Sequence, residues 1–152
     1  MARESKSIEY LKEKELRQNV RASNTAKQFG FVVQHAERGK VTMRMPVNAR
    51  HKQVHGVVHG GVLAALADTA GGLATYMACP RGARVATVEM KINFLEAVEA
   101  GQVTAEAEVV RIGQHIAVTD CDLRDDSGRL VAKALMTFFV GPFRKNRKKR
   151  RF

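Results

Sequence analysis

The chain of 152 residues has no tryptophan, three prolines, two cysteines and only 6% aromatic residues. Cys79 and Cys121 stand outside any CxxC or zinc-ligand spacing, which excludes a disulfide framework and a cysteine zinc site as expectations. The opening MARESKSIEYLKEKELRQNV is charged throughout and lacks the apolar stretch of a secretory signal. These absences point to a reducing, cytoplasmic setting. The longest apolar run, Gly60 to Cys79, carries Asp68 near its centre and is mostly Ala and Gly, which have little drive to enter lipid. A membrane span is therefore not expected. With so few aromatics the core must be built from Val, Leu, Ala, Met and Phe, and 45% hydrophobic content at this length suits one folded domain.

Acidic charge is scarce as well. Lys and Arg number 26 against 15 Asp and Glu, a net charge of +11. RKNRKKRR, residues 144–151, holds seven of those cations, and removing seven from +11 leaves a mildly basic body at +4. The run is expected to be a solvated, disordered tail. Contact with ligand phosphates, an anionic membrane surface or nucleic acid are the alternatives; the lack of interleaved aromatics argues against nucleic acid.

The pattern divides the chain into an N-terminal helical segment (1–28), a main domain (29–143) and the basic tail (144–152). Ile8, Leu11, Leu16 and Val20 form an imperfect apolar stripe on a helix predicted from Ser7 to about Gln28. FGFVVQHAERGKVTMRMPV reads as a hairpin turning at Glu37–Lys40 around Gly39, and NARHKQVHGVVHGG as a polar, Gly-containing loop. A helix is predicted from about Gly60 to Met77, ended by Pro80 and Gly82. Beyond it the period falls to two in 85–95, 102–112, 115–125 and 129–140, four strands punctuated by Gly101, Gly113 and the Asp126–Gly128 turn. Only one long apolar helix is available to cover such a sheet, so a curved antiparallel sheet wrapped around one long central helix, an α+β fold, is the economical arrangement.

That helix begins in HGGVLAALADTAGG, residues 59–72. A helix apolar on all sides is expected to be buried on all sides, and Gly71 and Gly72 imply close approach of a neighbouring helix or a ligand, since Gly costs about 1 kcal/mol against Ala in a helix interior. Asp68 lies too far inside to be an N-cap. It is either a structural carboxylate with a local partner or a reactive group in a cleft.

The stretch HGGVLAALADTAGG resembles the signature of the hotdog-fold acyl-CoA thioesterases, particularly the phenylacetate-degradation type. The later VEMKINFLEAVEAGQVTAEAEVVRIGQHIAVTDCDLRDDSGRLVAKALMTFFV resembles the same family, so the likeness covers roughly residues 29–140. It implies the hotdog fold and hydrolysis of an acyl-CoA, the acyl group short, medium-chain or aromatic, to free acid and CoA. CoA enters as part of the substrate, and no cofactor is implied. The resemblance puts Asp68 at the catalytic carboxylate, as nucleophile or general base, and Gly60 at the backbone N–H that polarises the thioester carbonyl. It puts Gln53, six residues before His59 of the His-Gly-Gly, at a second contact to that carbonyl, and Thr87 at a hydroxyl that orients water. His59 is expected to hydrogen-bond backbone and anchor the loop.

Gly60 and Asp68 are eight residues apart on one helix, about 12 Å along its axis. Both must reach one reacting carbon, so Asp68 is expected to act with the partner chain's helix N-terminus in a homodimer. The resemblance implies the same, often with two dimers joined as a homotetramer. The RIGQH turn reads as a simple hairpin with solvated charges, or as a site where Arg111, Gly113 and Gln114 hold the pantetheine or phosphates of CoA. His51, His55 and His59, spaced by four, invite a metal reading that Gly56 and the missing carboxylate or thiol argue against. Three features depart from the family: Gly72 where some relatives carry a hydroxyl, Glu96–Ala97 where a proline turn is common, and the tail. A non-catalytic acyl-CoA binding module with the same fold is the alternative function.

Overall fold

A computed structural model describes residues 2–142, with side chains from Glu9 onward. The tail and the side chain of Ile8 lie outside the described residues. The expected single N-terminal helix is two: α1 (Ala2–Ala22) and α2 (Asn24–Phe29). The break comes at Ser23, whose extended backbone lets its hydroxyl accept the Ala26 N–H at 3.3 Å, a local cap that competes with helix continuation. Leu16 and Val20 are buried as the stripe predicts, whereas Leu11 is exposed.

The hairpin is β1 (Val32–Glu37) and β2 (Lys40–Pro46), turned at Gly39 with φ +77°. After a single 3-10 turn at Ala49–His51 the chain enters α3 (Gly60–Ala78), then β3 (Arg84–Phe94), β4 (Gln102–Ile112), β5 (Ile116–Arg124) and β6 (Leu130–Gly141). The four strands fall within a residue of the period-two segments. One six-stranded sheet results, in the order β1-β2-β4-β5-β6-β3 with every neighbour antiparallel. The connection through α3 carries the chain from one side of the sheet to the other, and leaves β3 as an edge.

Alternation sorts the side chains into two faces. Met43, Met45, Val103, Ala105, Ala107, Cys121, Leu123, Ala134, Met136 and Phe138 are buried against α3. The outer face carries Glu106, Glu108, Asp120 and Asp122, paired with Lys40, Arg124 and Lys133. The alanines on the inner face and in the helix let sheet and helix lie close. Gly71 shows how close: a Cβ there would sit 2.5 Å from Met136 Cε. The demand at Gly71 is thus set by the sheet's own β6, whereas Gly72 meets only the Phe138 ring, at an ordinary contact distance of 3.5 Å. Both thiols are free and buried, and burial pushes Cys121 up to about 12.

Burial of α3 is not all-round. Ala64, Ala65, Asp68, Thr69, Gly72, Leu73 and Tyr76 are half-exposed and recur at helical spacing, so the helix keeps one open stripe with Asp68 on it.

Candidate active site

The stripe places Asp68 beside β3. The Thr87 hydroxyl donates to Asp68 Oδ1 at 2.7 Å, which occupies one carboxylate oxygen and leaves the other for a different partner. Thr87 pairs with Phe138 across the ladder and so faces inward, while a bulge between Thr87 and Glu89 pushes the next residue, Val88, outward. The fold thus brings into direct contact the carboxylate and the hydroxyl that the resemblance singles out. Asp68 has no ion pair among the described residues.

Gly60 opens α3 at its other end. His59 is the N-cap: its Nδ1 accepts the Gly61 N–H at 2.9 Å, and its carbonyl accepts the N–H groups of Val62 and Leu63. Three of the first-turn amides are thereby consumed, and no acceptor among the described residues takes the Gly60 N–H. This amide lies at the positive end of the helix dipole, the arrangement that suits a developing negative charge. A Cβ on Gly60 would stand 3.1 Å from the Phe94 ring, a tight contact that the ring would have to relieve by moving a few tenths of an ångström.

Gln53 stands on the loop that feeds this end. The loop closes on itself through the Lys52–Val58 bridge and the Gln53 N–H to Val57 carbonyl bond of 2.9 Å. The Gln53 side-chain oxygen accepts the His55 N–H at 3.2 Å, so its amide N–H groups remain as the donors of that side chain.

His51 supports the loop from below, a role not legible from the three-histidine spacing. It is fully buried, its carbonyl accepts the His59 N–H at 2.8 Å, and its Nδ1 accepts the Asn48 N–H at 3.3 Å. Its Nε2 is buried without a partner. Burial pushes the imidazole below its ordinary value of 6.5. His55 and His59 are exposed, so the three rings do not share a face.

The remaining candidates lie elsewhere. Thr87, Phe138, Ala117 and Ile112 form one row across β3, β6, β5 and β4. At strand spacing that row is about 14 Å wide, which separates the Arg111–Gln114 turn from Asp68. Within one chain, Asp68 with its Thr87 contact and the Gly60 amide thus stand apart, eight residues from each other along α3.

Sequence reasoning missed Lys12. Its ammonium is buried and donates to the carbonyls of Tyr76 (2.8 Å), Met77 (3.0 Å) and Cys79 (2.5 Å), and it stands 4.9 Å from the Tyr76 ring centroid. Desolvation lowers its pKa from 10.5. In a helix dense in Lys and Glu, nothing marks this one lysine as buried.

The family model described as thioesterase superfamily matches residues 55–132, just over half of the chain. A solved thioesterase from Haemophilus influenzae superposes with a TM-score of 0.81 at 30% identity, covering 88% of this chain and 92% of that one. The PaaI protein of the phenylacetic acid degradation operon of E. coli gives 0.80 at 25% identity, covering 87% and 94%. A thioesterase of Staphylococcus aureus is similar at 28% identity and TM-score 0.76, covering 79% of this chain and all of that one; it was solved as an alanine variant of a glutamine and, separately, of a glutamate fifteen positions further on. The chain belongs to the thioesterase superfamily, as a hotdog-fold thioester hydrolase of the PaaI-like type.

Proposed function

We propose that the protein hydrolyses acyl-CoA thioesters at a site shared by two subunits, with Asp68 of one acting with Gly60 and Gln53 of the other. The observation that carries this reading is the separation of the two half-sites: a carboxylate with an oriented hydroxyl at mid-helix, and an uncommitted amide about 12 Å away at the helix N-terminus. The separation of Gln53 and Asp68 supports it too. They are fifteen residues apart, as are the two residues substituted in the S. aureus protein, with Asp in place of the longer Glu.

The edge strand supplies a means of pairing. No residue of β3 is buried, and Val88, Phe94 and Leu95 are exposed on or next to it. An unpaired, apolar strand edge is a template for a second strand. The opposite edge is guarded, because Arg17 on α1 donates to the carbonyls of Val33 (2.7 Å) and Gln34 (3.0 Å) on β1. Antiparallel pairing of two β3 strands would bring each open helix stripe toward its mate.

At such a site water attacks the thioester carbon as Asp68 takes its proton. The oxyanion is held by the Gly60 N–H and the Gln53 amide of the partner subunit. Collapse breaks the C–S bond, and the CoA thiolate recovers the proton from Asp68. The Thr87 hydroxyl fixes the carboxylate so that its second oxygen faces the water. The short Asp side chain leaves room for that water, which favours general-base over nucleophilic action. The RIGQH turn lies several strands from the carboxylate, which on this reading suits contact with the distant phosphates of a CoA ester.

The test is thiol release from short, long and aromatic acyl-CoAs, with a single turnover in oxygen-18 water. Hydrolysis with the label confined to the acid product is expected. Label in the Asp68 carboxylate would establish a mixed anhydride instead, and tight binding of CoA esters without cleavage would establish the binding-module alternative.

A further inference from the structure

Phe94 ends β3 with a ring that the core leaves half uncovered. The inward positions before it, Val85, Met90 and Ile92, are half-buried against the core. Phe94 lies on the same face, paired with buried Ala132, yet it is 51% exposed. Its far end rests on the first residue of α3. Three ring carbons, Cζ, Cε1 and Cε2, stand 3.1, 3.3 and 3.4 Å from the place that a Cβ on Gly60 would take. The N and Cβ of one residue are about 2.5 Å apart, so the ring tip lies within about 6 Å of the Gly60 nitrogen. Gly60 is half-buried between two exposed neighbours, His59 and Gly61. The strand runs against α3 and serves both reactive groups: Thr87 reaches Asp68, and Phe94 reaches Gly60.

What a ring does at that place follows from the amide beside it. A donor open to water is already hydrogen-bonded, and exchanging that water for an oxyanion gains little. The same donor in a site that water does not enter acts far more strongly on developing charge. An apolar ring takes up the space of such water without offering a comparable acceptor. We propose that Phe94 is a positioning residue for thioester hydrolysis: its ring keeps water off the Gly60 amide and leaves that amide for the oxyanion. The inference rests on the shared-site reading above, in which Gly60 and Phe94 of one subunit face Asp68 and Thr87 of the other.

The test measures kcat and KM for an acyl-CoA that the wild type cleaves. Phe94→Ala should lower kcat about thirtyfold with KM within about threefold. Phe94→Leu, which restores an apolar cover, should bring kcat back to within about threefold of the wild type. Leu95→Ala is the control for the strand end, since Leu95 is also 51% exposed, and it should match the wild type. Melting curves and sedimentation establish that each variant keeps its fold and assembly. Should Phe94→Ala lose either, the comparison passes to Phe94→Leu and Phe94→Asn, similar in size and opposite in polarity, of which only the leucine variant should retain kcat. Full kcat in Phe94→Ala or Phe94→Asn, an effect on KM alone, or an equal loss in Leu95→Ala would overturn the proposal. Asp68→Asn in the same assay separates it from the reading it rests on. An inactive Asp68→Asn beside a fully active Phe94→Ala removes only the role of Phe94, whereas a fully active Asp68→Asn removes both.

Discussion

The two ends of α3 are finished in opposite ways. At the C-terminal end Lys12 takes the carbonyls of Tyr76, Met77 and Cys79, and the helix that carries it is pinned further by Arg81 on Glu15 and by the Arg38 N–H on Glu9. At the N-terminal end His59 takes the amides of Gly61, Val62 and Leu63 and leaves that of Gly60. Both ends begin with the same problem, unsatisfied backbone groups at a helix terminus. One is closed by a buried cation from another element. The other keeps a single donor open at the place where negative charge is favoured. On the proposed function, the closed end holds the molecule together and the open end serves the reaction.

Substitutions should respect that division. The largest effect is expected between the two ends, at Asp68: Asp68→Asn keeps the size and the contact with Thr87 but removes the base. It should lower kcat/KM by about a thousandfold with little change in melting temperature. Steady-state kinetics beside a melting curve checks this, and a variant that loses stability instead would place Asp68 among the structural groups. Next comes the closed end. Lys12→Met strips three buried carbonyls of their donor and should reduce unfolding free energy by about 2 kcal/mol in urea titration. Catalysis at saturating substrate should stay within about threefold. A thousandfold loss of activity there would erase the contrast.

The smallest effect is expected under the open end. His51 is buried and its folded pKa lies below 6.5, so the unfolded chain binds its proton more readily. Its contribution is complete above pH 6.5 and is lost as the pH falls toward the depressed value, at most about 1.4 kcal/mol per pH unit. His51→Gln, which can still accept from Asn48, should flatten the stability profile in that window. An unchanged profile would mean that the titration belongs to other groups.

Much of this was legible in advance because it rests on period and punctuation. The four period-two segments, the Gly39 hairpin and the Gly60 helix start follow from alternation and turn residues, and the strand ends differ by one residue. Within HGGVLAALADTAGG, Gly60 as the first residue of the helix and Asp68 well inside it were legible as positions. What escaped depended on long-range packing. Lys12 meets carbonyls more than sixty residues away, and Gly71 answers to Met136 and Phe138 on the last strand. The break at Ser23 is the opposite case: a local hydroxyl cap that apolar periodicity alone overruns.

The claim that one site draws on two chains is tested most directly by subunit complementation. Asp68→Asn and Gln53→Ala chains are each expected to be nearly inactive, then unfolded together, refolded as a mixture and assayed for thiol release. If Asp68 works with the partner's Gly60 and Gln53, each mixed dimer holds one intact site and one doubly defective site, and activity should return to about a quarter of wild type. If both groups serve a site within one chain, every site in the mixture carries one defect and no activity returns, which would contradict the shared site.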